Sequence, residues 1–77
     1  MAQHHAFEFS LQLFERERSG SLSLRPEVQR TIAPTPEDAA QKLLHEHLRP
    51  LGNPHSVRAK TWRVAPDGKV LVTMLYR

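Results

Sequence analysis

The chain has 77 residues, a formal net charge of +3 at pH 7 and no cysteine. This length corresponds to one small domain, and the lack of cysteine excludes a disulfide framework, a thiolate zinc site and a cysteine nucleophile. No apolar run reaches the roughly 20 residues of a membrane span, and the first residues lack the pattern of a signal peptide, so we expect a cytoplasmic protein.

The first predicted element is a strand, because apolar and polar residues alternate over Phe7–Leu13. A second apolar series occupies even positions of Leu22–Ile32. A two-residue turn at Ser19-Gly20 would pair Leu11 with Val28 and bring both series to one face. The pattern therefore predicts one long hairpin with a single buried side. Its second strand contains a proline, which lacks a backbone donor and is typical of a sheet edge.

A helix is predicted to follow, with Thr35 as its cap and Pro36 at its first position. Asp38 and Lys42 are spaced for an ion pair on its exposed side, and Pro50 would end it. Its apolar stripe comprises Ala40, Leu43, Leu44, His47 and Leu48.

The last part of the chain is predicted to be a second hairpin, because Ala65-Pro66-Asp67-Gly68 suits a three-residue loop with glycine in the left-handed conformation. This loop fixes a register in which Trp62 lies opposite Val72. The same register pairs Val64 with Val70, Lys60 with Met74 and Arg58 with Tyr76. One face would then carry Trp62 and the valines, and we expect the helix to cover it.

These elements predict an α+β fold with two layers in the order ββαββ, in which one helix packs on a four-stranded, mainly antiparallel sheet of spatial order 2-1-3-4. A ubiquitin-like β-grasp uses the same element order and is the alternative. We expect a single domain over residues 1–77, whose parts are a disordered segment 1–5, a first hairpin 6–32, a helix 36–49 and a second hairpin 57–77.

Histidines are the first residues to consider for catalysis. His4 and His5 lie at the N-terminus and are interpreted as an accidental pair or the remnant of an added tag. His45 and His47 are two residues apart on the predicted helix and cannot clamp one metal ion, so His47 is interpreted as a core residue. His55 has no ligand-spaced partner. The sequence therefore favours a protein that is not an enzyme and that holds no metal or cofactor.

Basic and apolar residues give a clearer signal for macromolecular binding. If the helix covers Trp62, the opposite sheet face presents arginines among apolar side chains, as in interfaces with proteins or nucleic acids. Arg58 and Lys60 would instead form a basic ridge beside Trp62. The predicted binding residues are Arg16, Arg18, Arg25, Arg58, Lys60, Arg63, Leu71, Leu75 and Arg77.

The function expected from these features is a small non-catalytic binding module, of a type that phages and mobile elements encode. It would dock on a larger protein or nucleoprotein assembly as a regulator or inhibitor. The alternative is direct binding of RNA or DNA through the arginine-rich face, although a charge of +3 is low for that role. The last strand is apolar and uncharged until Arg77, so it also predicts a homodimer through its edge.

Overall fold

A computed structural model describes residues 5–77 of the chain, and the expectation of disorder at residues 1–4, including His4, lies outside that range. The described fold is α+β, with an antiparallel sheet and one helix on one of its faces. The elements are β1 (Phe7–Arg16), β2 (Leu22–Leu24), β3 (Gln29–Ala33), α1 (Pro36–Leu44), a 3₁₀ turn (Pro54–Ser56), β4 (Val57–Val64) and β5 (Val70–Tyr76).

The sheet has the spatial order β2-β1-β4-β5, and β3 pairs with β1 beyond the end of β2. Every strand pair is antiparallel. The predicted two-layer ββαββ architecture is confirmed, with the predicted second strand divided into β2 and β3. The β-grasp alternative is wrong, because that fold needs the first and last strands side by side and parallel, whereas β4 separates β1 from β5.

The turn of the first hairpin differs from the prediction. The amide of Glu17 donates to the Ser21 carbonyl at 2.7 Å, and the amide of Gly20 donates to the Glu17 carbonyl at 2.9 Å. Gly20 has a φ of +87°, so the loop has three residues and needs glycine in the left-handed region. With this loop Phe14 lies opposite Leu24, and an irregularity at Pro26 then shifts the pairing by two residues, so Leu11 lies opposite Gln29 rather than opposite Val28.

This one-residue change in register moves a whole series of side chains to the other face. Ile32 lies opposite Glu8, and Leu24 lies opposite Phe14. The even-numbered apolar residues therefore point away from the buried side of β1, and both Leu24 and Ile32 are exposed. The prediction that the two apolar series of this hairpin share one face is wrong.

The second strand of this hairpin is interrupted around Pro26. The amide of Arg25 donates to the carbonyl of Leu13, and pairing resumes at Gln29 opposite Leu11. Only Gln12 separates the two paired residues of β1, so three residues of the other strand bulge out against one. Proline has no backbone donor, so its place in a bulge on the outer edge is typical.

The start of α1 is confirmed, since the amide of Asp38 donates to the Thr35 hydroxyl at 3.1 Å. The helix ends earlier than predicted, at Leu44, because His45 adopts a left-handed φ of 57°. His47 consequently lies beyond the helix and is exposed. Its assignment to the core is wrong.

Tertiary contacts explain this early end. Leu48 is buried against the main core, and Arg49 exchanges two backbone hydrogen bonds with Tyr76, at 2.9 and 2.7 Å. A continuous helix would keep Arg49 away from β5. Lys42 also departs from the prediction, because its Nζ donates to the Ile32 carbonyl at 2.6 Å rather than pairing with Asp38.

The register predicted for the second hairpin is confirmed near its turn, where Trp62 lies opposite Val72 and Val64 opposite Val70. Gly68 has the expected left-handed φ of +87°. A bulge near the start of β4 places Val57 instead of Arg58 opposite Tyr76.

The face that the helix covers is the opposite of the predicted one. Because Leu11 lies opposite Thr61 in the β1–β4 pair, Thr61 shares the buried side of the sheet with the apolar face of β1. Leu75 is 0% exposed, whereas Val72 on the same strand is 53% exposed. The main core consists of Leu11, Ala40, Leu48, Ala59 and Leu75.

Replacing the buried leucine of β5 tests this assignment. We expect Leu75→Ala to lower the free energy of unfolding by about 2–5 kcal/mol, because it leaves a cavity. Val72→Ala should cost less than about 1 kcal/mol, since its side chain is half exposed. Chemical denaturation of both variants measures the difference. Equal costs, or a larger cost at Val72, would contradict the observed faces.

A second prediction concerns Gly52, which packs against Tyr76. A Cβ at this glycine would lie 2.6 Å from the Tyr76 Cβ, so Gly52→Ala must displace the ring or the loop. We expect a loss of about 1–3 kcal/mol in unfolding free energy. The adjacent Leu51→Ala is the control, and it should change stability by less than about 0.5 kcal/mol because Leu51 is largely exposed.

Candidate functional site

Residues 5–77 hold no group of three or more His, Cys, Asp or Glu side chains that could bind a metal ion. The four histidines in this range are all exposed, and His45 serves as the helix cap. No helix in this part of the chain is long and apolar enough to cross a membrane.

No segment within residues 5–77 covers the sheet side opposite α1, and this side carries a row of exposed apolar residues. Strand pairing places these residues together, because Trp62 lies opposite both Ser10 and Val72, while Ile32 lies opposite Glu8 on the same side of β1. We call this surface the open face, and we define it by Ile32, Trp62, Val64, Val70 and Val72. The four aliphatic members are between 52% and 65% exposed.

Trp62 lies near the middle of the open face and is half-buried among its neighbours. The ammonium of Lys60 is 5.6 Å from the centre of its ring, a cation–π distance. Lys60 and Trp62 of the predicted basic ridge thus come together. Arg58 is not part of this ridge. It lies at the bulge in β4, and its guanidinium binds Glu46 at 3.1 Å.

Charged residues are few around the open face. Arg30 and Glu8 are exposed on neighbouring strands beside Ser10, which pairs with Arg30. With Lys60, they give a mainly apolar surface with a slight excess of positive charge. Such a composition suits a partner with an apolar patch and acidic neighbours.

The arginines of the first hairpin do not form the predicted shared surface. Arg16 donates to the carbonyls of Gly20 and His55, both at 2.8 Å, and so ties the hairpin tip to the 3₁₀ turn. Arg25 pairs with two glutamates, the nearer at 3.1 Å. Arg18 is exposed in the three-residue loop.

The other predicted binding residues are divided between the helix side and the core. Leu75 is buried in the core, so its expected place on an uncovered face is wrong. Arg77 contacts Glu46 at 3.2 Å. Arg63 lies over the Phe7 ring at 4.0 Å. Leu71 is exposed on the helix side.

Arg63 and Leu71 line a shallow groove beside the start of α1. The groove also borders Phe9 and the Pro34–Pro36 segment, and it has a volume of about 240 Å³. The helix does not extend over this corner of the sheet. Arg63 covers Phe7, and among the residues that line the groove only Leu71 is an exposed large hydrophobic, against four on the open face.

Sequence reasoning did not identify the open face as a candidate binding surface. It did place four of the five members, all except Ile32, on one side of the second hairpin. The signal was the alternation in the second hairpin, whose even-numbered side is the more apolar one. An apolar side is normally assigned to the core. Only the pairing of β4 with β1 reveals that this side is uncovered.

Glu46 is the centre of a charge cluster. It pairs with Arg58 of β4 and with Arg77, which follows β5, and so joins the segment after α1 to both strands. Burial by itself raises the pKa of this carboxyl group. The hydrogen bonds and charges of the two arginines outweigh that effect, so the pKa lies below its ordinary value of 4.5.

We expect Glu46→Gln to lower the free energy of unfolding at pH 7 by about 1 kcal/mol. Because the folded state lowers the pKa, the carboxylate stabilises the protein fully above pH 4.5, and this contribution disappears as the pH falls through the folded pKa. Unfolding curves recorded from neutral to acidic pH should show the two proteins converging. Glu27→Gln is the control, since Glu27 is an exposed partner of Arg25 at 3.6 Å. A difference that persists unchanged in acid would contradict the prediction.

Comparison with known proteins leaves the function to be argued from the surface itself. Protein-family models, curated proteins and solved structures all gave no match to this chain. The open face is therefore the feature on which a functional proposal can be built.

Proposed function

We propose that this chain is a non-catalytic binding module that docks on a larger protein through its open face, as a regulator or inhibitor of that protein. The proposal includes a cytoplasmic location, which is supported by the absence of cysteine, since small secreted domains are commonly disulfide-bonded.

The observation that carries the proposal is the exposure of four aliphatic side chains on one sheet face, three of them next to Trp62 on β4 and β5. Val64 is 65% exposed, and Val70 and Val72 are 56% and 53% exposed. Scattered apolar residues are normal on a surface, but a contiguous group is typical of interaction sites. A central tryptophan with an apolar surround also resembles the composition of interface centres.

The placement of the arginines favours a protein partner over nucleic acid. A nucleic-acid surface needs several free cations along one groove or face. Arg58 and Arg77 are bound to Glu46, and Arg25 is bound to two glutamates. The open face adds only Lys60 and Arg30, with Glu8 close by. Binding through apolar contacts is therefore better supported than binding through phosphate neutralisation.

The test is affinity capture from an extract of the organism that encodes the chain, with three baits compared in parallel. Wild type is the reference, Val64→Asp places a charge in the open face, and Leu51→Asp places the same charge on an exposed apolar residue outside the strands. Each capture is repeated after nuclease treatment and across a salt series. We expect one protein to be retained by wild type and Leu51→Asp and lost with Val64→Asp.

We expect the amount of protein captured by wild type to be the same with and without nuclease and to change little with salt concentration. Loss of all binding between about 50 and 200 mM salt, or after nuclease treatment, would instead indicate a nucleic-acid partner. Equal retention by Val64→Asp and wild type would overturn the open face as the docking surface. Circular dichroism of the three baits confirms that each is folded.

A further inference from the structure

The outer edge of β5 has backbone groups without a partner among the described residues. Both the amide and the carbonyl of Tyr76 bond outward to Arg49. Since alternate residues of a strand direct these groups to the same side, those of Val70, Val72 and Met74 also point outward. β5 is the terminal strand of the sheet. Within residues 5–77, no backbone group from another part of the chain bonds to the outward groups of these three residues.

This free stretch has defined limits at both ends. The bridge between Arg49 and Tyr76 closes the edge at the end of β5. At its other end, the free stretch stops at the three-residue loop that contains Gly68. Five residues, from Val70 to Met74, are therefore available for pairing, and none of them is charged, glycine or proline.

The opposite edge of the same sheet is protected. There the outer strand is broken by the bulge at Pro26, and Arg25, Glu27 and Arg30 place charges along it. Bulges, prolines and charged side chains are the usual means by which sheet edges avoid further pairing. Within residues 5–77 the sheet thus has one protected edge and one open edge.

We propose that the open edge of β5 pairs with the same edge of a second copy of this chain, in antiparallel orientation about a twofold axis at Val72. A single open edge per chain can be satisfied by its own symmetry mate, which gives a closed dimer rather than a fibre. The resulting sheet is continuous across both copies.

Hydrogen-bond matching selects Val72 as the centre. In this register Val72 pairs with its counterpart, and Val70 pairs with the partner's Met74, so every outward group of the stretch is used. Moving the axis to position 73 would pair Val70 with the partner's Tyr76, whose groups already bind Arg49. Moving it to position 71 would leave Met74 opposite the partner's loop. Only the Val72 register uses the complete stretch.

The twofold axis is perpendicular to the sheet, so both open faces lie on the same side of the dimer. This inference does not depend on the docking proposal, because Val64, the residue that tests docking, lies on β4 and outside the pairing. A monomeric chain could still dock through the open face, and a dimer could form without any docking partner.

Cysteine cross-linking tests the register in a chain that contains no other cysteine. Cα atoms of residues directly opposite in a hydrogen-bonded antiparallel pair are about 5.5 Å apart, within the range of a disulfide. We expect Val72→Cys to form a disulfide-linked dimer under mild oxidation. Val70→Cys and Met74→Cys should each stay largely unlinked alone and should cross-link when the two variants are mixed.

Val64→Cys is the matched control, because Val64 is at least as exposed but lies one strand inside the edge. Its distance to the counterpart would be at least three strand spacings, roughly 14 Å, which is too far for a disulfide. Linking of Val64→Cys as readily as Val72→Cys would overturn the proposed pairing. Linking of Val70→Cys alone, without Met74→Cys, would overturn its register.

Sedimentation of the unmodified chain provides a second measurement that does not depend on cysteine variants. Wild type should approach twice the monomer mass of 8.9 kDa as concentration rises. Val72→Pro removes an outward amide that no β4 bond uses, and it should shift the association to at least tenfold higher concentration. A wild-type chain that stays monomeric at all accessible concentrations would overturn the proposal.

Discussion

The pairing of β1 with β4, in which Leu11 lies opposite Thr61, is the constraint on which the other features depend. β1 has the most regular apolar side of any strand, and this side must be buried. The register then forces the odd-numbered side of β4 and β5 into the core, although that side has small or polar residues such as Ala59 and Thr61. The more apolar even-numbered side, with Trp62, is left to solvent.

The small residues have a structural use on the buried side. Ala39, Ala40 and Ala59 are all fully buried, so small side chains make up part of the contact between the helix and the sheet. The main core is small, and Leu11, Leu48 and Leu75 are its largest buried members. Because small residues lie in the core and valines lie outside it, the fold leaves apolar side chains exposed that could still be buried. The docking proposal is built on this exposed apolar surface.

Local chemistry made several elements predictable from sequence. The loop before Lys69 and the cap at Thr35 follow from residue types whose backbone preferences act over three or four positions, and both are confirmed. The length predicted for the first loop was too short by one residue, because Ser19-Gly20 fits a two-residue turn as well as the end of a three-residue loop. The predicted helix end at residue 49 was wrong, because the helix ends at Leu44. The burial of Leu48 and the bridge from Arg49 to Tyr76, which explain the early end, lie far outside a local window.

The sequence by itself determined the order of the elements and the start of the helix, and it determined the register of the last two strands near their turn. It could not determine which side of the second hairpin faces the helix, since alternation defines two sides without saying which one meets a distant strand. The tertiary structure decided that point through the pairing of β1 with β4. The candidate binding surface followed from the same decision, because a side-chain period of two turns one choice of register into a choice of face for every residue.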